Sequence, residues 1–221
     1  MLLLGIDDAG RGPLIGPMIL SGVLIEKSHE SKIKSLGVKD SKLLQHSSRI
    51  RIEKEIKKIS KTKTFSVSPE EIDSSLASGI NLNTLEAIKT SMIINYFNDK
   101  KSKIKVIVDC PSINVLAWKK TLLTYIDSPE NLEIHCEHKA DLNHPIVSAA
   151  SIIAKVAREE EVEKIKKEYG DIGSGYPSDP KTKEFLRKKG QELSNNGIFR
   201  KSWATWKALF PDKKQKTLGD F

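Results

Sequence analysis

Residues 2–26 read LLLGIDDAGRGPLIGPMILSGVLIE, and this stretch decides how the chain begins to fold. Two largely apolar segments, 2–8 and 18–26, flank a turn rich in Gly and Pro. Apolar runs of this length bounded by turn residues are typical of buried strands, and their close spacing predicts a hairpin. Asp7 and Asp8 stand where the first strand is predicted to end.

Further along the chain, helical and strand patterns alternate. Helices are predicted from Ser47 or Ser48 to about Lys61, from Ser68-Pro69 onward, from about Asn83 to Asn98, and over Val115–Ile126 and Pro145–Tyr169. Strands are predicted over Thr64–Val67, Lys105–Asp109 and Leu132–His138. This alternation of helices with apolar strands favours an α/β layer architecture.

Two of the predicted helices have informative apolar faces. The stripe on the helix of 83–98 consists of Leu85, Ile88, Met92 and Tyr96, which predicts that this face is buried. On the helix of 145–169, the apolar residues of 149–156 and those of 162–169 fall on roughly opposite faces. We therefore expect this long helix to pack against two cores.

The length of 221 residues predicts one domain with a smaller appendage. We expect a main domain over 1–169, a small C-terminal helical subdomain over 170–210, and a flexible tail over 211–221. No apolar run approaches the roughly 20 residues of a membrane helix. The short apolar start is cut off by Asp7-Asp8 and lacks the basic flank of a signal peptide, so we expect a cytoplasmic protein.

Charge and cysteine content narrow the function. Lys and Arg number 37 against 29 Asp and Glu, a formal net charge of +8, which favours polyanionic partners such as nucleic acid. Two cysteines supply neither a disulfide framework nor a four-thiolate zinc site. Three histidines lie near Cys136, but alternation along a strand would point His135 away from Cys136, so we do not predict zinc there.

Four aspartates are the candidate chemical groups. Asp7, Asp8 and Asp109 end predicted strands, and Asp141 comes just before a predicted helix. Ligands and catalytic groups gather at the carboxyl ends of strands in α/β sheets. A dense group of carboxylates there needs cations, and its hard oxygen ligands suit Mg²⁺ or Mn²⁺. Two such ions can activate a water and stabilise the leaving oxygen of a phosphodiester.

The glycine-rich turn beside these acids does not fit a dinucleotide loop. Pro13 and Pro17 would interrupt the helix that such a loop must open, and the two adjacent carboxylates would repel a pyrophosphate. The segment Gly10-Arg11-Gly12 instead offers a backbone that a ligand can approach closely. A sugar-phosphate of a nucleic acid is a suitable ligand.

Several blocks of the sequence resemble the type 2 ribonuclease H family, ribonuclease HII, in its archaeal form. The blocks are GIDDAGRGPLIGPM at 5–18, KDSKL at 39–43, VIVD at 106–109, KAD at 139–141, VSAASIIAKV at 147–156, GYPSD at 175–179 and RKSW at 200–203. The resemblance runs from residue 4 to about 207. It implies a ribonuclease H-like fold with a mixed five-stranded sheet flanked by helices. It also implies divalent-metal-dependent hydrolysis of the RNA strand in RNA/DNA hybrids, including at a single ribonucleotide in duplex DNA.

The resemblance also assigns roles to particular residues. The four metal-binding catalytic acids would be Asp7, Asp8, Asp109 and Asp141. Gly10, Arg11 and Gly12 would form the loop that senses the 2′-hydroxyl, the group that distinguishes ribose from deoxyribose. Tyr176 would stack on the following deoxyribose, while Lys42 and Ser148 would contact phosphates. A monomer is the expected oligomeric state.

One residue departs from the family pattern. The family usually has Glu where this chain has Asp8, so the carboxylate arm is one methylene shorter. Because metal–ligand distances must hold within about 0.2 Å, the change could lower activity or shift it toward Mn²⁺. Two alternatives stay open from the sequence: a protein that binds RNA/DNA junctions with weakened catalysis, and a DNA nuclease of the same fold.

The C-terminal peptide resembles a sliding-clamp-binding motif, Gln-x-x-aliphatic-x-x-aromatic. Gln215, Leu218 and Phe221 match its positions, although the family motif normally ends in two aromatics. On one helical turn, Leu218 and Phe221 would project together into an apolar groove. Trp203 and Trp206, three residues apart, are expected to pack the C-terminal helix rather than to stack on bases.

Overall fold

A five-stranded mixed sheet forms the centre of the molecule. The computed structural model describes residues 1–38 and 44–211. The strands are β1 Leu2–Ala9, β2 Met18–Glu26, β3 Lys61–Val67, β4 Ile104–Asp109 and β5 Leu132–Glu137, in the spatial order β3-β2-β1-β4-β5. The predicted hairpin of β1 and β2 is confirmed, since the two strands pair antiparallel. β4 lies parallel to both β1 and β5, so the acidic ends of β1 and β4 meet at one edge.

Helices cover both faces of this sheet. Those of the described residues are α1 Glu30–Ser35, α2 His46–Ile59, α3 Pro69–Ala77, α4 Leu82–Phe97, α5 Val115–Leu123, α6 Ala140–Asn143, α7 Pro145–Tyr169, α8 Pro180–Lys189 and α9 Ala204–Leu209. Short 3₁₀ turns occupy Lys27–His29 and Pro129–Asn131. The α3 start is confirmed, because the Ser68 side chain accepts a hydrogen bond from the Glu71 amide. None of these helices is long and apolar enough to cross a membrane.

Alternation along β1 divides the core into two layers. Leu4 and Ile6 pack with α4 and α5 on one face of the sheet, whereas Leu3 packs with α7 on the other. By the same alternation, Asp8 belongs to the α4 face and Asp7 to the α7 face. The two adjacent carboxylates therefore enter different layers of the molecule.

The long helix α7 contacts two cores, as predicted. Its first half, including Ile146 and Val156, is buried against the sheet. Its second half places Val162 in a separate cluster with Phe185 and Trp206 of the C-terminal region. Leu14 and Ile15 of the β1–β2 connection complete that cluster. Backbone hydrogen bonds join this connection to Gly175, Ile198 and Arg200. Residues 170–210 thus share their core with the N-terminal turn.

The predicted buried face of α4 is wrong except for Leu85, which is buried in the core. Met92 is 39% exposed and Tyr96 60% exposed, whereas Glu86 and Thr90 are each 2% exposed. The helix is rotated so that Ile93, Ile94 and Phe97 meet the sheet, and its polar Glu86 and Thr90 turn inward with them. Hydrophobic periodicity could not indicate this orientation because the inward face contains polar residues.

Several predicted boundaries also differ. The strand β3 begins at Lys61, where the sequence predicted the end of a helix, because Lys61–Thr64 pair with β2. The helix α5 ends at Leu123 instead of Ile126, and β5 ends at Glu137 instead of His138. Such differences of one to three residues are common at element ends.

Two glycines allow the helices to approach the sheet closely. A Cβ on Gly5 would lie 2.5 Å from the carbonyl carbon and oxygen of Ile146, at the start of α7. A Cβ on Gly22 would lie 2.4 Å from the Cγ2 methyl of Ile93 on α4. Gly5 therefore sets the distance between β1 and the backbone of α7, close to the acids at the end of β1.

The two contacts predict different losses of folding stability when either glycine is replaced by alanine. Gly5→Ala forces backbone apart and should lower the free energy of unfolding by about 3 kcal/mol. Gly22→Ala meets the Cγ2 methyl of Ile93, a β-branched core side chain that can yield only in part, and should cost less, about 2 kcal/mol. Urea unfolding of both variants checks this order. A Gly5→Ala variant no less stable than Gly22→Ala would contradict the role given to the backbone contact.

Candidate active site

Asp7 is buried at the end of β1 and hydrogen-bonded within the α7 layer. Its Oδ1 accepts a hydrogen bond of 2.7 Å from the Asp8 amide, and its carboxyl also bonds with Ser151 of α7. Lys155 donates to the Ser151 hydroxyl at 2.8 Å. Burial raises the pKa of Asp7 well above its usual range, and the nearby charges of Asp8 and Asp109 raise it further.

Asp8 is half-buried and lies among cations. Burial raises the pKa of Asp8 to about 6; the charge of Arg11 opposes this shift, and that of Asp109 adds to it. Lys155 and Arg200 also favour the ionised form. Asp8 lines two adjoining crevices, one containing Glu86 and Asp109 and the other containing Arg11 and Lys155.

Asp109 and Asp141 connect β4 to the helices that follow β5. An oxygen of Asp109 accepts a hydrogen bond of 2.9 Å from the Ala140 amide, which joins the end of β4 to α6. Asp141 is buried one residue further along α6. The Ser148 hydroxyl is buried and donates to the backbone carbonyls of Asp141 and His144. Ser148 thus braces the α6–α7 junction from inside, a position that gives no support to the predicted phosphate contact.

The carboxylate group fits a divalent cation by its donor chemistry. Asp7, Asp8 and Asp109 supply hard oxygens, and the charge of Asp109 raises the pKa of both Asp7 and Asp8, so a bound cation would relieve their repulsion. Within residues 1–38 and 44–211, no three His, Cys, Asp or Glu side chains converge tightly enough to hold an ion alone. Mg²⁺ commonly takes one or two carboxylates and completes its shell with water and substrate phosphate oxygens. The arrangement here matches such an open site.

The loop Gly10-Arg11-Gly12 is held from behind by the C-terminal region. Arg200, which is fully buried, donates to the carbonyl oxygens of Gly10 at 2.6 Å and Arg11 at 2.8 Å. The indole nitrogen of Trp203 donates to the Gly12 carbonyl at 3.1 Å. Gly10 has φ +83°, a conformation that favours glycine. The carbonyl oxygens of three consecutive residues, Gly10, Arg11 and Gly12, thereby accept hydrogen bonds from the C-terminal region.

The buried charge of Arg200 was not singled out from the sequence. Burial lowers its pKa to about 10, so the guanidinium stays charged near neutral pH. It also lies 5.0 Å from the ring centroid of Trp203. Trp206 is buried, with ring centroids 4.8 Å from Phe199 and 4.5 Å from Phe210, and packs as predicted. Trp203 also packs against the C-terminal cluster as predicted, and it contacts the loop in addition.

The side chain of Arg11 is bound to α4. It forms an ion pair with Glu86 and donates to the side-chain oxygen of Asn83 at 2.7 Å. Burial raises the pKa of Glu86 well above its usual range, and the charge of Asp8 adds to this effect while Arg11 opposes it. Glu86 carries no signal in the sequence, because the apolar stripe of α4 lies on a different face of the helix.

A crevice of about 430 Å³ opens beside Asp8 and the loop. Basic side chains line its far wall: Arg49, Lys155 and Arg158. Tyr176 is 41% exposed at its rim, and the Arg158 guanidinium lies 5.4 Å from the centroid of the Tyr176 ring. A Cβ on Gly12 would lie 3.3 Å from that ring, so Tyr176 stands directly against the loop. The crevice combines acids, cations and an aromatic surface.

Other predicted residues fall elsewhere. Lys42 and the tail residues Gln215, Leu218 and Phe221 lie outside the described residues. The histidines near Cys136 are engaged separately: His135 with Glu133, His138 with the Cys110 carbonyl, and His144 with Glu137.

Comparisons with known proteins point to one family. The sequence profile described as Ribonuclease HII matches residues 4–206. Ribonuclease HII of Methanococcus maripaludis strain C6 is 42% identical over 220 residues, covering 98% of this chain and 90% of that protein. Ribonuclease HII of Pyrococcus furiosus is 40% identical over 223 residues, covering 98% and 96%.

Solved structures agree with these sequence matches. The crystal structure of the ribonuclease H2 from Pyrococcus horikoshii OT3 superposes with a TM-score of 0.85 at 36% identity, covering 95% of this chain and 97% of that one. The ribonuclease HII in a complex with PCNA from Archaeoglobus fulgidus gives 0.81 at 36% identity, and both chains are covered in full, 100%. The expected ribonuclease H-like fold is confirmed.

The raised pKa of Asp8 predicts how pH affects stability without divalent ions. Between about pH 4 and pH 6 the native protein binds more protons at Asp8 than the unfolded chain does, so this contribution to stability falls as pH rises. Asp8→Asn removes the effect. In chelator, the variant should match wild type near pH 3.5 and exceed it by on the order of 2 kcal/mol at pH 7, as measured by urea unfolding.

Asp99 provides a control of opposite sign. This exposed carboxylate accepts hydrogen bonds from Ser102 and Lys101, which lower its pKa to about 2. Asp99→Asn should therefore be less stable than wild type at pH 7 and approach it as pH falls through the range from about 4 to 2. If Asp8→Asn and Asp99→Asn showed the same sign at pH 7, the electrostatic account of Asp8 would be refuted.

Proposed function

Because the chain belongs to the ribonuclease HII family, we propose that it hydrolyses the RNA strand of RNA/DNA hybrids and also cuts 5′ to single ribonucleotides in duplex DNA. The products are a 3′-hydroxyl and a 5′-phosphate. The observation that carries the proposal is the position of the carboxylates at the ends of β1 and β4 beside the loop of residues 10–12. We place this activity in the cytoplasm, in ribonucleotide excision and RNA primer removal.

The carboxylates Asp7, Asp8, Asp109 and Asp141 would hold two divalent ions, Mg²⁺ or Mn²⁺. When bound, such ions supply activation of the attacking water and stabilisation of charge on the leaving oxygen. The protein's contribution is positioning. Ser151 and Lys155 orient the Asp7 carboxyl from α7, and the Ala140 amide orients that of Asp109.

The basic wall of the crevice would bind the phosphate backbone. Arg158 is buried enough that the pKa of its guanidinium is lowered, and its Nε has no hydrogen-bond partner within the described part of the chain. A phosphate oxygen would supply a charge-assisted acceptor for it. Tyr176 would stack on the deoxyribose that follows the ribonucleotide, which favours an RNA-to-DNA junction. The loop N–H groups would reach the 2′-hydroxyl, and this contact would reject all-DNA duplexes.

The shortened Asp8 carries the one alternative that a specific observation favours, a junction-binding protein with weakened catalysis. An end-labelled duplex with one ribonucleotide, and its all-DNA twin, are treated with Mg²⁺, Mn²⁺ or chelator. We expect cutting of the first duplex alone, 5′ to the ribonucleotide, which chelator and Asp109→Asn abolish. Asp8→Glu should raise the rate in Mg²⁺ by about tenfold and the rate in Mn²⁺ less, because the longer arm restores ligand reach.

The results of this assay distinguish the ribonuclease from the two alternatives, a junction-binding protein and a DNA nuclease. Binding without cutting by wild type, with cutting by Asp8→Glu, would replace the enzyme with the junction-binding alternative. Cutting of the all-DNA twin would favour a DNA nuclease of this fold. Lys54→Gln, on the exposed surface of α2, serves as a matched control that changes charge away from the crevice.

We also propose that the C-terminal peptide binds a sliding clamp. The support is the spacing of Gln215, Leu218 and Phe221 together with a similar protein whose structure is a complex with PCNA. Replacing Leu218 and Phe221 by Ala should weaken binding to an archaeal clamp by at least about tenfold in calorimetry, since both apolar anchors are lost. Cutting of the ribonucleotide duplex without clamp should stay unchanged. Equal clamp affinity of the double variant would disprove this contact.

A further inference from the structure

Glu86 is a buried carboxylate that the proposed chemistry does not use. It lies on α4 with 2% of its surface exposed, and its Oε1 has no hydrogen-bond partner among the described residues. A buried ion pair of this kind is often no more stabilising than apolar residues of similar size. Stability alone therefore does not account for Glu86, and the group it binds indicates its role.

That group is the guanidinium of Arg11. Nη1 pairs with Glu86 and Nη2 donates to Asn83 at 2.7 Å. Asn83 and Glu86 are three residues apart on α4, so both face the same side of the helix. The backbone carbonyl of Asn83 accepts a hydrogen bond of 2.9 Å from the indole N–H of Trp118, which fixes this turn of α4. Two acceptors on one rigid helix hold the planar guanidinium in a single orientation.

The backbone of the same loop is held from the opposite side. Arg200 occupies the carbonyls of Gly10 and Arg11, and Trp203 occupies that of Gly12. With the Arg11 side chain bound to α4 and its carbonyl bound to Arg200, the peptide planes on either side of Arg11 are fixed. The direction of the loop N–H groups then depends on the contact with α4 as much as on the C-terminal region.

We infer that Glu86, together with Asn83, is a positioning residue that fixes the loop of residues 10–12 through Arg11 and so determines its preference for ribose over deoxyribose. This inference rests on the proposed function and deepens it. Glu86 touches neither substrate nor metal in this role. Its loss should therefore reduce discrimination while leaving general affinity for duplex DNA nearly unchanged.

The test measures binding in an Asp109→Asn background, where bound duplex is not cut. Fluorescence anisotropy gives the ratio of the Kd for an all-DNA duplex to the Kd for its single-ribonucleotide twin. Glu86→Gln keeps the shape but removes the charge that holds Arg11, and we expect it to lower this ratio by about tenfold. Glu71→Gln is the matched control, because it breaks a different ion pair of α4. Glu71 on α3 lies 2.5 Å from Lys89, which is on α4 like Glu86 but does not contact the loop. This variant should leave the ratio unchanged.

A double-variant cycle with Arg11→Met separates positioning from a general structural effect. If Glu86 acts through Arg11, adding Glu86→Gln to Arg11→Met should not lower the ratio further. An additional loss of similar size in that background would overturn the inference. If Glu86→Gln does not fold, as judged by its thermal midpoint, Asn83→Ala replaces it and should lower the ratio about threefold.

The remaining outcomes keep the two proposals apart. If the Asp109→Asn protein shows no preference for the ribonucleotide duplex, the proposed function and this inference both fail. If it shows the preference and Glu86→Gln retains it, the inference alone fails. An unchanged ratio in Asn83→Ala, where that variant must be used, overturns the inference in the same way.

Discussion

The constraint on which the structure depends is the burial of like charges at the end of β1. Asp7 and Asp8 are adjacent in sequence and lie beside Asp109 of β4, in surroundings that raise the pKa of both. Strand alternation sends one carboxylate into each layer of the molecule, which limits their repulsion. Hydrogen bonds from Ser151 and from the Asp8 amide favour ionised Asp7. The charges of Arg11, Lys155 and Arg200 favour the ionised form of Asp8.

Compensation of this charge also explains why distant parts of the chain meet at one loop. Arg200 is a buried cation near Asp8 whose hydrogen bonds go to carbonyls of the loop and of Gly16. It therefore contributes both positive charge and loop geometry. The third core, which joins the N-terminal turn to the end of α7 and the C-terminal helices, holds Arg200 in this place. The C-terminal region in this sense helps to form the candidate active site.

Close packing transmits these constraints between layers. Gly5 lets the backbone of α7 approach β1, and this approach brings Ser151 within reach of Asp7. On the other face, Gly22 lets α4 approach the sheet, and α4 presents Glu86 toward the acids. Because both helices press against the same strand pair, the geometry of the acids is set by side chains and glycines well away from them in sequence.

The sequence by itself determined the hairpin, the alternation of helices and strands, the two faces of α7 and the acids at the strand ends. These features follow from local hydrophobic periodicity and turn chemistry, which neighbouring residues carry. Only the tertiary structure decided which face of α4 is buried, and with it the role of Glu86, because polar residues on an inward face leave no periodic signal. The same holds for Arg200, whose partners at Gly10 and Gly16 are over 180 residues away. Contacts between residues so far apart depend on how the layers pack, and a local pattern cannot record that.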